Sequence, residues 1–252
     1  MKAIVAVIFI SISVYIYNDV IDIEADKLNS IKKFRPLPSG KVAPEFARIV
    51  SIIAGLIGLT ISITINIESF IFSLAYFILF SIYSYPKIHL KKKFILKESV
   101  VNAGFVLTGL IGSFAVTGTF SITVFYFSLI NVALSFALQP PFNDTTDIEA
   151  DKIQGVRSLA VVLSWKQKMQ LLIIIILFVM TITPFTYTQF GFNMILPIYV
   201  VAGSLLLLTY MFPIIYKYEH VRATNARKLV VVYYFLLQLF AVFSVLHFNL
   251  IL

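Results

Sequence analysis

Eight runs of apolar residues, each long enough to cross a bilayer, fill most of this chain of 252 residues. They cover 2–18, 43–65, 69–88, 99–118, 121–141, 169–187, 193–215 and 229–250. A hydrocarbon layer about 30 Å thick is crossed by about 20 helical residues. Inside it the backbone must satisfy its own hydrogen bonds, as a helix does. The sequence therefore predicts an all-α, polytopic transmembrane helix bundle. Hydrophobic residues make up 60% of the chain, against about half in a soluble domain, and no stretch is left for a separate soluble domain. One membrane domain over 1–252 is the expectation. The first run has a single Lys before it, no small-residue cleavage site and an acidic motif at its end, so it reads as a helix and not as a signal peptide.

The charges give the topology. Of the 20 Lys and Arg residues, all but Lys2 fall in 19–48, 87–98, 142–168 and 216–228. The opposite connections, near 66–68, 117–121 and 187–193, hold none. The positive-inside rule puts the four basic connections in the cytoplasm. With eight helices Lys2 would lie outside, and a further helix upstream would make it part of a short external turn. Attraction to anionic membrane lipid accounts for most of the basic residues. It does not account for the acidic ones.

The decapeptide NDVIDIEADK at 18–27 returns as NDTTDIEADK at 143–152. On a helix, Asp19, Asp22 and Asp26 fall within an arc of roughly 60°. Asp144, Asp147 and Asp151 repeat the pattern, and Asn18 and Asn143 head the two copies. Four spans separate the copies, which puts both on one side of the membrane as a parallel repeat. Six carboxylates pooled at a bilayer edge repel one another and lose hydration, and a cation is the simplest compensation. Oxygen donors without His or Cys favour Mg²⁺, Mn²⁺ or Ca²⁺, and Mg²⁺ commonly bridges carboxylates to substrate phosphates. Two metal-binding helices with a diphosphate between them is the resulting expectation. The plainer alternative, helix-end solvation, explains one copy better than two in the same register.

Other residues bear on the same site. Arg35 stands just before the turn residues Pro36, Pro38, Ser39 and Gly40, and its planar guanidinium suits phosphate; an ordinary loop arginine is the equal alternative. Tyr83 and Lys87 have the spacing Y-x-x-x-K at a helix end, and Arg157 follows the second motif as another phosphate candidate. Lys91, Lys92 and Lys93 read as a surface-charge run. The chain has no cysteine, which removes disulfides, thiolate metal sites and a cysteine nucleophile. His89, His220 and His247 are too scattered in sequence to suggest a metal site.

Taken together, these stretches resemble the UbiA superfamily of intramembrane prenyltransferases. The resemblance rests on N-D-x-x-D-x-x-x-D from Asn18, R-P-L-P-S-G from Arg35 and Y-x-x-x-K from Tyr83. D-x-x-D-x-x-x-D from Asp144 and G-x-x-S-L-A-V from Gly155 complete it. It implies nine helices around a central cavity, one of them preceding the helix that ends in the first motif; here only 17 residues precede Asn18. It further implies Mg²⁺ and the diphosphate of a polyprenyl donor at Asn18, Asp22 and Asp26 and at Asp144, Asp147 and Asp151. Lys87 and Arg35 would steady the departing diphosphate, and Tyr83 would line the site. The prenyl tail would lie in an apolar tunnel open to lipid. No covalent nucleophile and no nucleic acid enter this chemistry. Pro140 and Pro141, just before the second motif, predict a kink or break in the fifth span.

Within the family the first motif looks most like the archaeal ether-lipid branch, whose lipophilic acceptor is geranylgeranylglyceryl phosphate. The run SFALQPPFN before the second motif fits that branch less well, and an aromatic, quinone-type prenyltransferase is the alternative. A cation transporter or channel is the alternative from another class, since acidic helix ends can form a vestibule. No charged residue lies mid-span to mark an ion path.

Overall fold

A computed structural model describes residues 1–29, 32–143, 148–153 and 155–246. The described residues are nearly all helical, with no strand among them. The helices are α1 (Lys2–Ile21), α2 (Ile23–Leu28), α3 (Pro44–Ile63), α4 (Ile67–Ser84), α5 (Leu96–Thr117) and α6 (Ile122–Leu138). They continue with α7 (Ile148–Ile153), α8 (Leu159–Val162), α9 (Trp165–Thr186), α10 (Ile195–Met211) and α11 (His220–Val245). Among the described residues, eight helices are long and apolar enough to cross a membrane, and each falls on one of the eight expected runs. The protein is an all-α, multi-pass integral membrane protein.

Local signals set several ends. Pro44 occupies the first turn of α3, where its missing N–H costs no hydrogen bond. Asn66 caps α4 by accepting from the Ser69 N–H at 2.7 Å. Ser164 and Gln167 form a capping box at the start of α9. The expected disturbance at Pro140 and Pro141 is present: α6 stops at Leu138, and Gln139–Asn143 continues as a π-helical turn, as a prolyl nitrogen without a hydrogen requires.

The chain divides into two compact units, 1–125 with 147–161, and 126–146 with 162–252. The first contains α1 to α5. Its tightest seam is between α1 and α3. The inward face of α3 carries Ala47, Ser51, Ala54, Gly55, Gly58 and Ser62, all buried. Such small residues let helix backbones approach closely without a hydrophobic driving force. A Cβ at Gly58 would come within 2.5 Å of Ile10 Cγ1 and 2.9 Å of the Ala6 carbonyl oxygen, so only glycine fits there. Ser51 Oγ donates to the Ser13 carbonyl at 2.8 Å across the same seam. The opposite face of α3 exposes Ile49, Ile52, Ile53 and Leu56, the helical stripe of a lipid-facing surface.

The second unit has a more apolar interior. Leu134 of α6, Leu172 and Ile176 of α9, Leu196 and Val200 of α10 and Leu237 of α11 are fully buried in one cluster. Several of its polar groups bond to one another or to backbone carbonyls. Gln238 Nε2 donates to Asn131 Oδ1 at 2.8 Å, the Ser204 and Tyr233 hydroxyls meet at 3.0 Å, and Trp165 Nε1 donates to the Ile214 carbonyl at 2.6 Å.

Candidate functional site

The first acidic motif does not lie on one unbroken helix. α1 ends at Ile21, Asp22 adopts φ −90° and ψ 1°, and α2 begins at Ile23. The i→i+4 bonds survive the break: the Asp22 N–H donates to the Asn18 carbonyl at 3.0 Å, and the Asp26 N–H to the Asp22 carbonyl at 2.8 Å. Asn18, Asp22 and Asp26 therefore stay aligned, and all three line one cavity of about 390 Å³ in the first unit. Asp19 does not line it. It faces a separate depression shared with Arg35, Pro36 and Pro38.

Asp151 brings the second motif to the same cavity. Gly155 takes φ +71° after α7, a left-handed turn that glycine makes without strain. The Val156 N–H then returns to the Asp151 carbonyl at 2.8 Å, and Val156 also lines the cavity. The side chain of Asn143, and Asp144 and Asp147 altogether, lie outside the described residues, as does His247.

The segment between α4 and α5 supplies Lys91, and the first turn of α5 supplies Lys97. The Lys91 ammonium binds Asp22 Oδ1 and reaches Asn18 Oδ1 at 3.3 Å. Asn18 Oδ1 also accepts from Ser84 Oγ at 2.8 Å. Lys97 Nζ lies 3.1 Å from Asp151 Oδ2. The Lys92 carbonyl accepts the Arg157 N–H at 3.0 Å, so one loop touches the first motif and the segment after the second. Two non-glycine residues with positive φ bracket it, His89 at 47° and Ile95 at 64°. Conformations of this kind cost about 1–3 kcal/mol each and hold the loop in an unusual path.

The reading of Lys91 as part of a surface run is corrected here: the residue is 8% exposed, drawn inward by Asp22 and Asn18. Lys87, chosen from the Y-x-x-x-K spacing, is exposed and is not among the cavity-lining residues, whereas Tyr83 is. Arg35 is exposed and lies outside this cavity, 3.5 Å from Asp19 Oδ1 and 3.6 Å from Asp26 Oδ2. The Arg157 side chain is exposed and also outside it. The structure adds Asn29, Lys32, Ser84, Lys91 and Lys97 to the lining. Asn29 had a signal in its spacing, three residues beyond Asp26. Lys91 had none, because its direction is set by an irregular loop and not by a helical repeat.

The cavity changes character along its length. At one end stand Asp22, Asp26, Asp151, Lys32, Lys91 and Lys97. Toward the other, Val14 of α1, Tyr76 and Phe80 of α4 and Val101, Phe105 and Thr108 of α5 take over. Burial holds the Asp26 carboxyl above the usual carboxylate range; Asp22 and Asp19 add to that, while Lys32 and Arg35 oppose it. Among the described residues no three His, Cys, Asp or Glu side chains group closely enough to hold a metal ion. The donor set present is oxygen-only, with each described cavity carboxylate facing a basic side chain of the protein.

A multi-pass helical protein whose interior cavity is ionic at one end and apolar at the other is built to take an amphiphile by a charged head. The model of the UbiA prenyltransferase family matches residues 2–249, and the chain belongs to that family; it is a prenyltransferase. It is 34% identical over 222 residues to digeranylgeranylglyceryl phosphate synthase of Sulfolobus acidocaldarius, covering 87% of this chain and 76% of that one. Two solved structures share the fold. One, described as giving structural and mechanistic insights into the biosynthesis of digeranylgeranylglyceryl phosphate synthase in membranes, has a TM-score of 0.71 at 23% identity, covering 97% of this chain and 84% of the other. The second is a UbiA homologue from Archaeoglobus fulgidus bound to GPP and Mg²⁺, with a TM-score of 0.70 at 16% identity, covering 97% and 87%. Membership in a transferase family sets the transporter alternative aside.

Proposed function

We propose that the protein transfers a polyprenyl group from an allylic diphosphate to a membrane-embedded acceptor, with Mg²⁺, and that the acceptor is geranylgeranylglyceryl phosphate. The observation that carries this reading is the single cavity with Asn18, Asp22, Asp26 and Asp151 beside Lys91 and Lys97 at one end and aromatic and aliphatic side chains at the other. The acceptor is proposed from the relative in Sulfolobus acidocaldarius and the first motif. The need for Mg²⁺ is proposed from the donor set and from the Archaeoglobus fulgidus homologue.

The residues fit the metal. Asp22, Asp26 and Asp151, with the Asn18 amide oxygen, offer oxygen donors only, the preference of Mg²⁺; Asp144 and Asp147 complete the motif. Bound there, Mg²⁺ would neutralise charge on the departing diphosphate. Lys91 and Lys97 would bind the diphosphate oxygens and add to that stabilisation. The donor C1–O bond breaks, the electron pair leaves with the diphosphate, and the acceptor hydroxyl oxygen bonds to C1 as its proton is released at the polar end. Val101, Phe105 and Tyr76 would exclude water from the allylic cation until the acceptor arrives. Asp19 and Arg35, paired behind the motif, are assigned to holding the α1–α2 break. Lys87 and Arg157, both exposed, are retained as outer contacts to the diphosphate, with Tyr83 at the reacting end and Asn143 beside the second motif. We treat 1–252 as one catalytic domain, in keeping with a family match that spans both units, with the basic connections and the ionic end toward the cytoplasm.

The test uses purified protein in detergent with Mg²⁺ and radiolabelled geranylgeranyl diphosphate, offered geranylgeranylglyceryl phosphate or 4-hydroxybenzoate. Transfer to the first alone supports the acceptor assignment, and transfer to the second alone replaces it with the quinone-type reaction. Asp22→Asn and Asp151→Asn are expected to abolish turnover in folded protein; near-normal turnover in both would remove the metal assignment.

A further inference from the structure

The two acidic motifs are anchored differently. Asn18, Asp22 and Asp26 continue from α1, a helix of 20 residues packed on α3. Asp151 sits on α7, which has six residues. Isolated helices shorter than about 12 residues are marginal, so α7 does not fix its own position. The return of the chain behind it does. The Val156 N–H reaches back to the Asp151 carbonyl at 2.8 Å, and Val156, Ser158, Leu159 and Ala160 are all buried. Leu159 opens α8, so its N–H has no carbonyl of that helix to bond. Glu98 takes it: Glu98 Oε1 accepts from the Leu159 N–H at 2.6 Å, and Glu98 is 1% exposed. Its neighbour Lys97 binds Asp151 Oδ2 at 3.1 Å. Two consecutive residues in the first turn of α5 thus hold the two ends of the stretch from Asp151 to Leu159. Between them the Arg157 N–H bonds the Lys92 carbonyl.

We infer that Glu98 is a positioning residue for the second acidic motif: its buried carboxyl docks the backbone at Leu159 and so keeps Asp151 at the cavity that Asp22 lines. This rests on the metal and diphosphate reading proposed above. Glu98 does not line the cavity and acts through Asp151. A buried N–H left unbonded costs about as much as a lost hydrogen bond. Without an acceptor at position 98 the segment shifts until the Leu159 N–H finds one elsewhere, and Asp151 moves with it through the Val156 turn. Removing the groups that orient metal-binding side chains lowers metal affinity roughly tenfold or more. What position 98 needs is an acceptor of the right reach and not a charge. Lys91 and Lys97 differ in this, since their charges face the cavity carboxylates.

The chain has no cysteine, so a pair of spin labels can be placed without background. Labels at Lys93→Cys and Lys152→Cys, both exposed positions, report the distance between the α4–α5 loop and α7 in the full chain in detergent. Mg²⁺-dependent pyrophosphate binding is measured on the unlabelled proteins. Glu98→Met is expected to broaden the distance distribution and to weaken pyrophosphate binding roughly tenfold. Glu98→Gln keeps an acceptor at the same reach and is expected to match the wild type in both. Asn66→Ala removes the cap of α4; it should lower the thermal midpoint and leave both readings unchanged, which separates positioning from general destabilisation. If Glu98→Met does not fold, Glu98→Asp carries the test, since its shorter side chain draws the acceptor back from Leu159. Wild-type distance and binding in these variants overturn the inference. So does a change in one reading without the other, or a loss in Glu98→Gln as large as in Glu98→Met. Failure of the wild type to bind pyrophosphate with Mg²⁺ overturns the metal and diphosphate reading itself, whereas the labels still decide whether Glu98 places α7.

Discussion

The ammonium of Lys91 is bound to the carboxylate of Asp22, with the amide oxygen of Asn18 3.3 Å away. The pair joins the α4–α5 loop to the end of α1, and the two side chains are only 10% and 20% exposed. Lys91→Met would leave a poorly solvated carboxylate without its partner. We expect a loss of about 2 kcal/mol, somewhat below the cost for a fully buried pair. Lys87→Met, at an exposed neighbour, should change stability by less than about 0.5 kcal/mol. Thermal midpoints of the two variants in one detergent would check this; equal midpoints would remove Lys91 from its place in the site.

Each described cavity carboxylate already faces a Lys or Arg: Asp22 with Lys91, Asp151 with Lys97 and Asp26 with Arg35. A metal ion that takes the carboxylates displaces cations that then need an anion. Metal and diphosphate should therefore bind with positive coupling. Mg²⁺ alone is expected to raise the thermal midpoint slightly and Mg²⁺ with pyrophosphate to raise it several degrees, an increase that chelation with EDTA removes. A shift no larger with pyrophosphate than without would count against the coupling.

Asp26 gives a pH signature. Its folded pKa is raised, first by burial and then by Asp22 and Asp19, so the folded protein holds the proton more tightly than the unfolded chain. The resulting stability is fully present below the unfolded pKa and is lost as pH rises through the raised folded value. On acidification from pH 7 toward about 4, the midpoint of the wild type should rise relative to Asp26→Asn in metal-free detergent. A gap that stays constant over that range would contradict the assignment.

Gly58→Leu tests the α1–α3 seam. The new side chain would have to displace Ile10 and the backbone at Ala6. Destabilisation of about 2 kcal/mol or more is expected, while Gly112→Leu on α5, where a Cβ meets nothing within 4 Å, should be nearly neutral. Comparable midpoints for the two would mean the seam is looser than its geometry.

The spans were legible because hydrocarbon imposes length and polarity together, and the central parts of all eight were placed within a few residues. Their ends were less so. The run at 229–250 became α11 from His220, since Arg222, Arg227 and Lys228 interrupt the apolar run without interrupting the helix. The repeated aspartates were legible from spacing, and Asn18, Asp22, Asp26 and Asp151 do share a cavity. A uniform helical wheel put Asp19 with them; the break at Asp22 and the pull of Arg35 put it elsewhere. Lys91 was out of reach, because its inward path depends on left-handed backbone at His89 and Ile95, which neither residue type announces.

Ile10 fills the space left by Gly58 and, on its other side, backs the Tyr76 ring. The two positions are therefore not independent as the sequence drifts. A larger residue at 58 requires a smaller one at 10, and a smaller residue at 10 withdraws support from behind Tyr76. A pair of substitutions neutral for assembly could in this way reshape the apolar half of the cavity while leaving every charged residue of the site untouched.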